Sequence, residues 1–221
     1  RENARAGGEF AGHLDLSRIG VGGHSCGGLQ ALAVSHDPRI DTTMVLNSGI
    51  YVRTDNAAGG LQATRHLLRL GRRRIAYLGS TSDRWPEFQA RFRGYTQALR
   101  EEGPEPDPAL LVEAQSSEHA GREAITQLLD SGVHFDAVFA ASDLIAMGAI
   151  SALRSRGRAV PGEVAVVGFD DITAAAHFIP PLTTVQQDTH RAADMLVDNL
   201  LRMTAGEEVE SVLIEPTLIV R

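Results

Sequence analysis

Residues 23–27 read Gly-His-Ser-Cys-Gly, a G-x-S-x-G spacing that could do covalent acyl chemistry with Ser25 as the nucleophile. In such an elbow a sharp strand-to-helix turn exposes the serine, and the backbone amide of the next residue, here Cys26, donates one oxyanion hydrogen bond. A serine hydroxyl stays a weak nucleophile until a histidine takes its proton and an acid orients that histidine. His24 and His36 read as turn or surface residues, and His66, His119, His134, His177 and His190 all lie downstream of residue 51. No second oxyanion donor precedes the elbow, so the spacing predicts a nucleophile without its machinery. A second set of groups is carboxylate: Ser142-Asp143 and Asp170-Asp171 each close an apolar run.

These residues need elements to hold them. Short apolar runs at 18–22, 43–47, 74–79, 109–114, 135–141 and 163–169 read as strands. They alternate with stretches of helical period near 25–35, 57–70, 88–102, 119–131, 143–156 and 189–204. This alternation predicts an α/β fold of doubly wound parallel sheets. Gly71, Gly103, Gly132 and Gly157 each follow a periodic stretch and are expected to cap helices in the left-handed region. Pro104, Pro106 and Pro108 stiffen the next loop. Residues 72–171 form one complete lobe in this reading, and 1–71 with 172–221 form the other, first lobe. In open parallel sheets helix N-termini and free amides collect at the carboxyl ends of the strands, so a ligand is expected there.

The 221 residues are 43% hydrophobic and 22% charged, the composition of a globular chain. A net charge of −7 argues against nucleic-acid binding by this chain alone, and the use of 21 arginines with no lysine reads as a coding bias without functional weight. A neutral or polar small ligand fits better. Cys26 is the single cysteine, so no internal disulfide forms, which suits a reducing compartment. No apolar run approaches the roughly 18 residues of a membrane span, and the N-terminus has no signal-peptide core. A cytoplasmic protein without cofactor or metal is the expectation.

Four stretches carry a family resemblance: VRTDNAAGGLQATRHLLRLGRRRIAYLG (52–79), RFRGYTQALREEG (91–103), FDAVFAASDLIAMGAISALRSRGRAVPGEVAVVGFDD (135–171) and PPLTTVQQD (180–188). In order and spacing, residues 52–221 resemble the effector-binding core of LacI/GalR transcription regulators, which is periplasmic-binding-protein-like. The resemblance implies a two-lobed sensor that closes on a sugar or purine, and possible homodimerisation. It implies ligand contacts from Arg91, from Ser142 and Asp143, from Asp170, and from Gln187 at the crossing between lobes. Each has a plainer alternative: Asp143 and Asp171 as helix N-caps, Arg91 as a solvated helix residue, Gln187 as a partner for backbone. Where the family often has an aromatic platform stands Ser116, which leaves stacking to Trp85 or Phe88, and Trp85 could equally pack on its own loop.

The stretch LDLSRIGVGGHSCGGLQALAVSHDPRIDTTMVLNSG (14–49) resembles instead the strand, nucleophile elbow, helix and strand of an α/β-hydrolase. Joined near residues 50–52 to the regulator-like part, it suggests a chimera in which a hydrolase-like β-α-β unit supplies part of a shortened first lobe. No DNA-reading helix is visible in these 51 residues, so the expected function is effector binding without a DNA-binding headpiece. The alternatives are a serine esterase using Ser25 and a folded chimera with no function.

Overall fold

The computed structural model of the chain describes residues 20–24, 42–46, 52–204 and 207–221. In chain order its elements begin β1 (Gly20–His24), β2 (Thr42–Leu46), β3 (Val52–Thr54), α1 (Asn56–Arg69), β4 (Ile75–Leu78), α2 (Pro86–Glu102), β5 (Leu111–Val112) and α3 (Glu118–Asp130). There follow β6 (Ala137–Ala140), α4 (Asp143–Ser155), β7 (Ala165–Asp170), α5 (Thr173–His177), β8 (Thr183–Gln186), α6 (Thr189–Thr204), β9 (Val212–Ile214) and β10 (Thr217–Ile219).

The chain divides into two compact units, one made of residues up to Thr54 with Thr189–Ile214, the other of Asp55–Asp188 with Glu215–Arg221. In the first unit β1 pairs with β2 and β3 with β9, both parallel. Val52, Leu196 and Ile214 form its small buried cluster. β1 and β2 fall at the strands expected beside the elbow, whereas Ser25, Cys26 and the helix expected over 25–35 lie outside the described residues.

The second unit is built on one six-stranded sheet, order β10-β8-β7-β6-β4-β5, parallel except for β10 against β8. All four residues of β4 and all four of β6 are buried, as a parallel strand covered on both faces requires. With this strand order, the usual right-handed crossover puts α2 on one face and α3 with α4 on the other. On each face two helices cross backbone to backbone. A Cβ on Gly60 would lie 2.2 Å from the Arg91 carbonyl oxygen and one on Gly94 2.1 Å from that of Ala57, which fixes α1 on α2. Gly121 and Gly148 serve α3 and α4 in the same way, at 2.1 Å from Ile145 O and 2.0 Å from Glu118 O.

This packing draws the units differently from lobes bounded at 71/72 and 171/172. α1 was expected in the first lobe, but its glycine face lies on α2 in the second unit. Residues 172–188 also belong there, because β8 extends the large sheet beside β7. Gly71, Gly132 and Gly157 take φ of 82°, 73° and 75°, the left-handed caps expected. Gly103 does not: its φ is −129°, because Pro104 after it forces an extended conformation. The strand expected over 109–114 is cut to two residues, since Asp107 caps a 3-10 turn over Pro108–Leu110 that uses up its start.

Candidate functional site

Parallel strands end on the same side, and the polar residues of interest stand where β6, β7 and β8 stop. Register pairs Leu78 with Ala140 and Asp170 with Gln186, so Ser142, Asp170 and Gln187 follow one edge of the sheet. Arg91 comes to that edge from α2.

Arg91 is not a solvated helix residue; it is 3% exposed. Its guanidinium carbon lies 3.7 Å from the centre of the Phe169 ring and 5.4 Å from that of Phe88. Its Nε donates to Asn56 Oδ1 at 2.8 Å and its Nη1 to the carbonyl of Ala141. Nη2 faces Asp170 Oδ1 at 3.4 Å. Burial pushes the guanidinium below its ordinary pKa, and the Asp170 carboxylate pulls it back. The same burial pushes Asp170 up, while Arg91 and the Gln187 amide hold it down.

Asp170 ends β7 with φ 115° and Asp171 follows with φ 53°. Asp171 sits where aspartate is tolerated, whereas 115° lies beyond the left-handed region, so the strain is at Asp170 and is held there by its surroundings. Gln187 Nε2 donates to Asp170 Oδ1 at 2.7 Å, so the amide expected to meet a ligand contacts the neighbouring carboxylate. The Asp170 side chain is 29% exposed. It is therefore a carboxylate with one oxygen engaged by protein and part of its surface left open. Asp171 is no helix cap either: Arg221 Nη2 reaches it at 2.6 Å and Gln186 Nε2 at 2.8 Å, while the cap position of α5 is Ile172.

Ser142 is the N-cap of α4, its hydroxyl accepting from Ile145 N at 3.4 Å and contacting the Ser116 hydroxyl at 2.9 Å. Asp143, one residue inside the helix, is not the cap. It is fully buried, and its two oxygens accept from Thr184 Oγ1 at 2.5 Å and from Ile172 N at 2.9 Å. Burial pushes its carboxyl up to about 6 against the pull of those two bonds. The space for it exists because residue 168 is glycine, where a Cβ would lie 2.3 Å from Asp143 Oδ1. Trp85, at the start of α2, is 46% exposed; Phe88, the other ring expected to stack on a ligand, lies with Phe169 against the guanidinium. Sequence reasoning passed over Asn56, Phe169 and Thr184. Asn56 sits inside a quoted stretch and Phe169 inside an apolar strand, so nothing in their spacing marked them.

The arrangement sets a rigid donor fork beside a carboxylate that a side-chain amide also holds, with two aromatic rings against the guanidinium. Such groups hold hydroxyls through paired, charge-assisted hydrogen bonds. Among the described residues no cluster of three or more His, Cys, Asp or Glu could hold a metal ion, and no helix is long and apolar enough to cross a membrane.

The profile of the periplasmic binding protein-like domain matches residues 64–221. The transcriptional regulator CelR of Thermobifida fusca is 41% identical over 173 residues, which are 77% of this chain and 51% of that protein. The regulator GalR of Escherichia coli is 33% identical over 172 residues, 77% of this chain and 50% of that one. The chain thus spans about half the length of the curated relatives it matches. Among solved structures, the CelR–cellobiose complex is similar with a TM-score of 0.75 and 27% identity, over 93% of this chain and 84% of that one. The Escherichia coli repressor ascG is similar with a TM-score of 0.73 and 28% identity, over 87% and 72%. None of these comparisons lends support to the hydrolase resemblance of residues 14–49.

Proposed function

The chain belongs to the periplasmic binding protein-like family, as an effector-binding core of the LacI/GalR kind, and on that premise we propose that it senses a sugar for a transcription regulator. Arg91 and Asp170 are the ligand-binding pair in this reading, with Gln187 as the amide that orients the carboxylate. Ser142 contributes through its hydroxyl contact with Ser116, Asp143 supports the strand ends from below, and Trp85 stands on an exposed loop as a wall that a bound ligand can meet. Ligand contact does not make this an enzyme, and no covalent step is assigned.

The observation that carries the proposal is the partly open Asp170 carboxylate held at positive φ between Arg91 and Gln187. A sugar suits it because vicinal hydroxyls both donate and accept, which an acidic and a basic group side by side can match. The cellobiose complex of CelR points the same way for ligand class. Homodimerisation and a cytoplasmic location complete the reading, and DNA binding is not assigned to these residues.

The experiment is a thermal unfolding scan with pentoses, hexoses, disaccharides including cellobiose, and purines. Binding to the native state must raise its stability, by about 2.7 kcal/mol at a hundredfold excess over Kd. A rise with one sugar supports the reading; a rise with purines alone redirects the ligand class, and no rise with any of them contradicts it.

A further inference from the structure

The guanidinium of Arg91 needs to be aimed. It sits at the crossing of α1 and α2, where the Gly60 backbone lies against the Arg91 carbonyl with no room for a Cβ. The first residue of α1 is Asn56, only 9% exposed. Asp55 caps that helix end by accepting from Ala58 N at 2.9 Å. The amide of Asn56 is thus carried on a turn fixed by the cap before it and by the backbone crossing after it.

From that place Oδ1 of Asn56 takes Arg91 Nε, the Ala141 carbonyl takes Nη1, and Nη2 is left toward Asp170. Acceptors on two nitrogens of a planar fork fix its rotation as well as its position, so the third nitrogen can point only one way. We propose that Asn56 is a positioning residue for effector binding, whose amide oxygen on Nε turns the Nη2 edge of Arg91 to Asp170 and to the ligand beside it. This rests on the reading of Arg91 and Asp170 as the ligand-binding pair. The amide is suited to the role because it accepts without charge. A carboxylate at the same place would compete with Asp170 for one cation, whereas a neutral acceptor leaves the attraction of Arg91 for Asp170 intact.

The test uses the full chain with 15N-labelled arginine and follows the Nε–H resonances, Arg91 being assigned by its disappearance in Arg91→Lys. In the wild type the Arg91 Nε–H is expected to be protected from solvent exchange. Asn56→Ala should lose that protection, and Asn56→Asp, which keeps an acceptor there, should retain it. Asn56→Ser, too short to reach Nε yet still polar, replaces the alanine variant if that fails to fold. Calorimetric titration with cellobiose as the probe should show affinity about tenfold weaker in Asn56→Ala, as for losing one hydrogen bond to a charged group. Retained protection in Asn56→Ala overturns the proposal, as does unchanged affinity where the wild type binds. If cellobiose does not bind the wild type, its place as ligand falls and the exchange measurement alone decides: lost protection supports the role of Asn56, retained protection overturns it.

Discussion

The chain leaves β6 through Asp143 and β7 through Asp170, two aspartates at neighbouring strand ends with opposite uses. Asp143 has both oxygens bonded and no exposure; Asp170 has one oxygen shared by Gln187 and Arg91 and a surface still open. One ties the sheet edge together, and the other keeps part of its surface open. A carboxylate at a strand end therefore does not make a site by itself. What its oxygens already accept decides whether any capacity is left for a ligand.

The contrast breaks most visibly in stability. Asp143→Ala leaves the buried Thr184 hydroxyl and the half-buried Ile172 amide without their acceptor and should cost about 3 kcal/mol by denaturant titration. It therefore lowers the melting temperature far more than Asp170→Asn does. A variant that melts like the wild type would refute the structural role.

The pH dependence sharpens the same point. A carboxyl raised from 3.8 to about 6 binds more protons folded than unfolded, so its stabilising contribution is complete below about pH 4 and is lost as pH rises through 6. Asp143→Asn resembles the protonated form at every pH. Its stability relative to the wild type should rise by up to about 3 kcal/mol between pH 4 and pH 7, measured by unfolding at both. A constant difference would mean that the Asp143 carboxyl is not raised.

A smaller effect tests the space under β7. Gly168→Ala drives a methyl into the Asp143 oxygen and should destabilise by about 2 kcal/mol in chemical unfolding, with ligand affinity changed less than stability. Combined with Asp143→Ala, the two costs should add to less than their sum, since the clash is gone. Full additivity would contradict the contact.

The core was legible from its residues. The apolar runs of β4 and β6 and the glycines after α1, α3 and α4 are local signals, each set by a few adjacent residues. β3, β9 and β10 have three residues each and α5 has five, too short for a period to register, and their pairing comes from distant chain. Gly103 shows one local rule beaten by another, the proline that follows it. For the candidate site, Arg91, Asp170 and Gln187 were proposed from a family resemblance, and the sheet edge brings the three side chains together. Asn56 and Thr184 were missed because their roles exist only where α1 lies on α2 and β8 lies beside β7. Trp85 and Phe88 were named as rings for stacking on a sugar; Phe88 lies against the Arg91 guanidinium and Trp85 is exposed.

The central claim is that Arg91 and Asp170 bind a sugar while Asp143 holds the edge that carries them. It is tested most directly by calorimetric titration of wild type and Asp170→Asn with the sugar that most raises the wild-type melting temperature, cellobiose being tried first. The account predicts one-site binding by the wild type and affinity at least about tenfold weaker in Asp170→Asn, which stays folded because asparagine tolerates positive φ. Equal affinity in the two, or a wild type that binds no sugar, would contradict it.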